Sequence, residues 1–171
     1  MSSNPQENQV HVVNPSKRVV VVAIDRSPAS WHAFEYAVKF ILNKGEHLRL
    51  IHCQPYREII GSSHMGAPVY KCGKVSQESK ETARAFAKRC KELGIKDCTE
   101  HIIMEDGSVG KAIVEYAHEQ FESSSNEVQL VLGTRESSLF KKVFLGSTSE
   151  YCVKHCHCPV LIVKLPHHKR K

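Results

Sequence analysis

Residues Arg18 to Asp25, RVVVVAID, form a continuous β-branched run. Such a run predicts a strand buried on both faces of a parallel sheet. Ser27-Pro28 then supplies a helix cap followed by proline at the first helical position. Trp31, Phe34, Val38, Ile41 and Leu42 recur at helical spacing, with Gly45 as the expected stop. His47 to Cys53, HLRLIHC, predicts a second strand, so the first unit is strand–helix–strand with a right-handed crossover. Gln54 to Gly73 has two prolines, three glycines and no clear period, and is expected to be an irregular loop. A helix from about Val75 to Leu93 follows, with Val75, Ser79, Thr82, Ala83, Phe86 and Cys90 along one side and Gly94 at its end. Cys98 to Met104 predicts a third strand. Gly107-Ser108 opens a third helix, with Ile113, Val114, Ala117 and Phe121 inward. Val128 to Leu132 predicts a fourth strand, Ser147 to His155 a short helix, and Cys158 to Val163 a fifth strand.

Five strands alternating with four helices indicate an α/β fold, a single doubly wound domain on a parallel sheet. Its expected bounds are residues 17–165, between a flexible N-terminal arm at 1–16 and a basic C-terminal tail at 166–171. In such sheets a ligand sits beyond the carboxyl ends of the strands, where strand order reverses. Asp25 ends strand one and Gly133 ends strand four, so both border one crevice if those strands are neighbours.

Composition narrows the class. At 171 residues with 41% hydrophobic and 25% charged positions, the chain suits one globular domain. No apolar run approaches a membrane span, and the first residues lack the apolar core of a signal peptide, so a cytoplasmic address is expected. Four of the six net positive charges sit in the last eight residues, leaving +2 for the body. No aromatic residues are interleaved with them, which argues against nucleic acid as a partner. The odd count of seven cysteines argues for reduced thiols rather than a disulfide framework. Cys152, His155, Cys156, His157 and Cys158 invite a metal reading. The helix end at Cys156 and the strand expected at Cys158 point their side chains apart, which argues against it. No nucleophile elbow, zinc-helix motif or Walker loop is present, so no catalytic residue is assigned.

The segment from Val131 to Ser149, VLGTRESSLFKKVFLGSTS, carries the chemistry. Gly133 ends a strand, Arg135, Lys141 and Lys142 lie in a loop, and Gly146-Ser147-Thr148-Ser149 opens a helix. Glycine allows close backbone approach, and a helix start offers free N–H groups and a positive dipole end. Together they describe a phosphate-type anion site. A strand terminator and a helix cap explain the same residues equally well.

The chain resembles the universal stress protein family from Arg18 to Lys164. The likeness rests on VVVAID, LIHC, VLG and LGSTSEYCVKHCHCPVLIV, the last being the most specific. The resemblance implies an adenine nucleotide alpha hydrolase-like (Rossmann-like) five-stranded parallel sheet in the order 3-2-1-4-5. It also implies binding of ATP or AMP, with Mg²⁺ bridging the phosphates. The family's nucleotide motif is G-x2-G-x9-G-(S/T). Gly133 matches its first glycine and Gly146-Ser147 its last pair, while Glu136 stands where the second glycine belongs. Carried over one at a time, Ala23 and Asp25 line the adenosine pocket and Cys53 lies near the adenine. Leu132 and Gly133 offer backbone to ribose and phosphate, and Ser147, Thr148 and Ser149 face the phosphates. For Ala23, Cys53 and Leu132 core packing is the parallel explanation, and for Asp25 a cap on the first helix.

The resulting expectation is a universal stress protein-like adenine-nucleotide module with a sensor or regulatory role. The alternatives are a nucleotide-free homodimeric interaction protein of the same fold, which Glu136 favours, and a slow ATP hydrolase. Glutamate at 136 is expected to weaken ATP by about one to three orders of magnitude through like-charge repulsion, and AMP by less. A homodimer through the last strand is also expected, because Pro159 to Lys164 is an apolar edge without a blocking charge inside it. Cys53 and Cys158 are expected to be slow thiols through strand burial, and Cys72 the fastest.

Overall fold

Four consecutive valines, Val19 to Val22, are at most 2% exposed and fill the middle of the sheet from both sides. They belong to β1 (Val19–Ala23) of a computed structural model that describes residues 18–65, 68–105, 107–124, 127–134 and 145–166. The further strands are β2 (His47–Pro55), β3 (Arg57–Ser62), β4 (Pro68–Cys72), β5 (Cys98–Glu105), β6 (Val128–Thr134) and β7 (Val160–Lys164). The helices are α1 (Pro28–Tyr36), which runs on into a π-helical turn over Ala37–Ile41, α2 (Gln77–Glu92), α3 (Val109–Ser124) and α4 (Ser147–His155).

The five-stranded sheet is parallel throughout, in the order β5-β2-β1-β6-β7. This is the expected 3-2-1-4-5 order once the additional hairpin is counted. Valines at even and odd positions of β1 face opposite layers. On one face α1 and α2 close over Val20, Val22, Leu48 and Leu50, with Phe34 and Phe86 at the centre. Trp31 stacks on Phe86 with ring centroids 3.7 Å apart. On the other face α3 and α4 close over Val19, Val21, Leu130 and Leu132. Neither face of the central strands meets water, which is why their sequences are unbroken apolar runs rather than alternating ones.

Four local expectations are corrected. The stretch from Gln54 to Gly73 is not irregular: β2 runs on to Pro55, and β3 and β4 form an antiparallel hairpin. Its register shifts between Ile59 and Gly61, and a bulge of that kind destroys the two-residue alternation that would have announced it. Gly45 does not stop the first helix. The wider π turn ends at Ile41 with the Leu42 N–H bonded back to Ala37, and Gly45 sits beyond it at φ +90° in the turn that follows. Phe121 is 56% exposed. The 3.6-residue period carries the inward stripe of α3 through Ile113, Tyr116 and Ala117 to Gln120, one position short of it. Cys158 lies in a bend before β7 rather than inside it.

Side-chain bonds tie the strand ends to the helix starts. Ser27 caps α1 by accepting the Ser30 N–H at 3.2 Å, and Ser76 caps α2 by accepting the Ser79 N–H at 3.0 Å. Buried Gln54 spans the end of β2 and the start of α2, accepting from the Ser76 N–H and donating to the Lys74 carbonyl, both at 2.9 Å. At the opposite end of the sheet, Glu46 is a buried acid held by Arg18 at 2.8 and 2.9 Å and by the Asn43 N–H at 2.8 Å. Among the described residues no helix is long and apolar enough to cross a membrane.

Candidate functional site

Chain order reverses between β1 and β6. From β1 the sheet grows to β2 and β5 on one side, then returns to β6 and β7 on the other. The ends of β1 and β6 therefore diverge at their carboxyl side, and a cavity of about 440 Å³ opens there. Its floor is Ala23, Ile24 and Asp25 from β1 and the residue pair after it, together with Leu132, Gly133 and Thr134 from β6. Ile51 and Cys53 of β2 form the apolar side, with Val109 and Ile113 of α3 above. Gly146, Ser147, Thr148 and Ser149 close the other side, and Ser27 and Ser30 contribute hydroxyls from the α1 end.

Nine of the ten residues singled out from the sequence line this one cavity: Ala23, Asp25, Cys53, Leu132, Gly133, Gly146, Ser147, Thr148 and Ser149. The tenth, Glu136, lies outside the described residues, as do Arg135, Lys141 and Lys142. Sequence reasoning missed Ile24, Ile51, Ser27, Ser30, Thr134, Val109 and Ile113. Strand alternation from Cys53 could have found Ile51, and the capping signal at Ser27 that residue itself, whereas Ile24 belongs to the opposite layer from Ala23 and alternation does not reach it. Nothing local announces that α3 leans over the opening.

The two glycines that read alike in the sequence differ in cause. A Cβ at Gly133 would overlap the Ala29 carbonyl and come within 2.9 Å of the Ser30 nitrogen. Glycine is therefore required there by the approach of α1 to β6, with no ligand invoked. At Gly146 a Cβ would meet nothing within 4 Å among the described residues. Its φ of −58° and ψ of 156° suit any residue, and nearly coincide with those of the capping Ser76, −68° and 156°. Yet among the described residues α4 has no side-chain cap, so its first N–H groups face the cavity mouth without one from these residues. Gly110 fixes where that helix stands, since a Cβ there would fall 2.8 Å from the Tyr151 Cβ.

Asp25 does not cap α1 itself, a role that Ser27 takes, but braces the turn that leads into it. Its Oδ1 accepts the Ser27 N–H at 2.8 Å, and its own N–H donates to Ser30 Oγ at 2.8 Å. It lines the cavity at the same time. The cavity is thus apolar where β2 and α3 meet and rich in hydroxyls and N–H groups at the start of α4. Burial pushes the Cys53 thiol up to about 11, and the Glu105 charge adds to this, so that wall is neutral at physiological pH. Among the described residues no cluster of His, Cys, Asp or Glu is placed to hold a metal ion. The Cys156 and Cys158 side chains, expected to diverge, converge instead because the chain bends between α4 and β7.

A family model described as "Universal stress protein family" matches residues 17–164. A universal stress protein of Methanocaldococcus jannaschii is 26% identical over 147 residues, covering 86% of this chain and 82% of that protein. A universal stress protein of Arabidopsis thaliana is 29% identical over 176 residues, covering 88% of this chain and 66% of the longer relative. Among solved structures, the universal stress protein of Archaeoglobus fulgidus in complex with dAMP aligns with a TM-score of 0.56 at 18% identity, over 86% of this chain and 98% of that one. At that identity the likeness speaks for the fold alone.

Proposed function

The chain belongs to the universal stress protein family, and from that premise we propose that it holds an adenine nucleotide in the cavity between β1 and β6 and acts as a sensor or regulatory module rather than a dedicated enzyme. The base and ribose lie along Ala23, Cys53 and Leu132, and the phosphates meet the start of α4 at Gly146 to Ser149. One observation carries the reading. Gly146 has dihedrals open to any residue and, among the described residues, free space where a Cβ would go and no side-chain cap on the helix it starts. Nothing among its described neighbours needs a glycine there, and a bound phosphate does. The relative crystallised with dAMP supports the same ligand class.

Magnesium fits as a companion of a triphosphate. Asp25 is the carboxylate among the described lining residues, and Mg²⁺ is commonly held by one or two carboxylates together with phosphate oxygens. Bound there, it would neutralise phosphate charge.

The second reading is a nucleotide-free interaction protein, favoured by Glu136 in place of the second motif glycine. It would work as a homodimer through β7, which is the outer strand of the sheet. Mass spectrometry of small molecules released from denatured, purified protein separates the readings. Co-purified AMP or ATP supports the first, ADP with measurable turnover supports slow hydrolysis, and an empty protein that also fails to take up added nucleotide supports the second.

A further inference from the structure

Two thiols flank His157 where α4 hands over to β7. Cys156 ends the helix, its N–H returning to the Cys152 carbonyl at 2.9 Å. The chain then bends at His157 and Cys158 before β7 begins. That bend turns both side chains the same way and leaves the Sγ atoms 3.2 Å apart. A disulfide bond is about 2.05 Å long, so the two sulfurs stand roughly one ångström from covalent distance. Neither is sealed in the core: both are half-buried.

The surroundings divide the labour between them. Either sulfur can donate in this contact, and the bond with Cys158 is the largest influence on the Cys156 thiol, favouring its ionisation. Partial burial opposes ionisation, while the Cys158 backbone N–H and the His118 and His157 imidazoles favour it. The balance lowers the Cys156 thiol to about 6. The same bond, burial and the Cys156 charge push the Cys158 thiol up. His118 reaches in from α3, accepting the His157 N–H at 3.2 Å, with the two rings stacked at 4.3 Å. The surroundings thus favour the thiolate at Cys156 and the thiol at Cys158, with the two sulfurs already in contact.

We propose that Cys156 and Cys158 form a redox modification site, at which Cys156 reduces a small hydroperoxide and Cys158 converts the product into an intramolecular disulfide. In the first step the Cys156 thiolate attacks the terminal peroxide oxygen. An S–O bond forms, the O–O bond breaks, and the departing oxygen takes a proton from solvent and leaves as water or an alcohol. The sulfur has given up two electrons and become a sulfenic acid. In the second step the Cys158 sulfur attacks the sulfenic sulfur. The S–S bond forms, the S–O bond breaks, and the hydroxyl leaves as water with the Cys158 proton. Two thiols and one hydroperoxide give one disulfide, one water, and one further water or alcohol. A dithiol reductant reverses the change by exchange.

A second close pair provides an internal comparison. Cys90 and Cys98 also stand 3.2 Å apart, but Cys90 is 1% exposed in the core. Cys98 is half-buried like Cys156 and Cys158, so an oxidant reaches one sulfur of that pair but both sulfurs of the pair at the end of α4.

Trypsin cleavage after Lys154 and Lys164 releases residues 155–164, which contain Cys156 and Cys158 and no other cysteine. The full chain, fully reduced, is treated with one equivalent of hydrogen peroxide at neutral pH, alkylated and mapped by mass spectrometry. This peptide should lose two hydrogens and take no alkylating group, ahead of the Cys90 and Cys98 peptides, and dithiothreitol should restore both sites. Cys158→Ser should arrest the reaction at a Cys156 sulfenic acid that dimedone traps. Cys156→Ser should slow thiol loss from this peptide about tenfold or more, the advantage in thiolate over an ordinary cysteine near neutral pH. The proposal is overturned if both thiols stay alkylatable after one equivalent, if the Cys90–Cys98 disulfide forms first, or if Cys156 is recovered joined to another peptide.

Discussion

Replacing Gly146 by serine should make the protein more stable and a worse nucleotide binder. Ser27 and Ser76 show what the hydroxyl would do, each accepting the N–H three residues on. At φ −58° and ψ 156°, Gly146 already has the backbone of such a cap, and its Cβ position is empty among the described residues. The new hydroxyl would accept the Ser149 N–H. A serine cap gains a few tenths of a kcal/mol over glycine, and lost freedom in the unfolded chain adds about 0.4–1 kcal/mol. The sum is about 0.5–1.5 kcal/mol, or about 1–6 °C in Tm for a domain of this size. Against this, the hydroxyl takes one N–H from the ligand and its Cβ narrows the approach. Losing one charge-assisted hydrogen bond costs about 1.5–3 kcal/mol, roughly 10- to 100-fold in affinity. Calorimetric melting without ligand and titration with AMP read the two effects separately. A variant that melts higher and binds AMP as well as the parent would refute the reason given for this glycine. A variant that melts lower would refute the geometry itself.

Three further outcomes follow from other contacts. Gly133→Ala should lose about 1–3 kcal/mol in urea unfolding, because its Cβ meets the Ala29 carbonyl backbone rather than a movable side chain; an unchanged midpoint would show that α1 can step away at no cost. Glu46→Gln should cost about 1.5–3 kcal/mol at neutral pH, since it weakens charge-assisted bonds to Arg18. Burial pushes the Glu46 carboxyl up, but bonds from Arg18 and Asn43 outweigh it and hold the group below its ordinary value. A depressed folded value gives stability that is complete above the unfolded value of 4.5 and lost as pH falls through the folded one, so the gap between parent and variant should close below about 4.5. A gap that persists at low pH would place its origin elsewhere. Finally, β7 is the sheet edge and Val160 and Ile162 are only half-buried, so light scattering at micromolar concentration should report a dimer that Ile162→Asp dissociates, and a monomeric parent would rule this out.

The parallel sheet was legible because its central strands are buried on both faces, which writes them as uninterrupted apolar runs such as Val19 to Val22. Ser27 marked the start of α1 through the same capping chemistry that the structure shows, whereas the cap of α2, Ser76, lies one residue inside the start expected near Val75. The hairpin was hidden by its bulge at Ile59 and Gly61, which breaks the alternation on which strand recognition depends. Most of the cavity was legible from strand ends and the glycine-hydroxyl run at Gly146. What no sequence pattern could give was the third dimension of each choice. Gly133 and Gly146 share one motif, yet one answers to a neighbouring helix backbone and the other meets nothing among the described residues. Likewise Cys156 and Cys158 were assigned to opposite directions on the assumption of helix then strand, and the two-residue bend between those elements brought them together.

The central claim is that an adenine nucleotide occupies the cavity between β1 and β6 with its phosphates at the start of α4. Amide shift perturbation of the ¹⁵N-labelled full chain on titration with AMP tests it most directly. The account predicts saturable shifts at Ala23 to Asp25, Cys53, Leu132 to Thr134 and Gly146 to Ser149, with the largest amide changes at the N–H groups of α4. Absence of saturable shifts with AMP or ATP, or shifts that leave Gly146 to Ser149 unmoved, would contradict it.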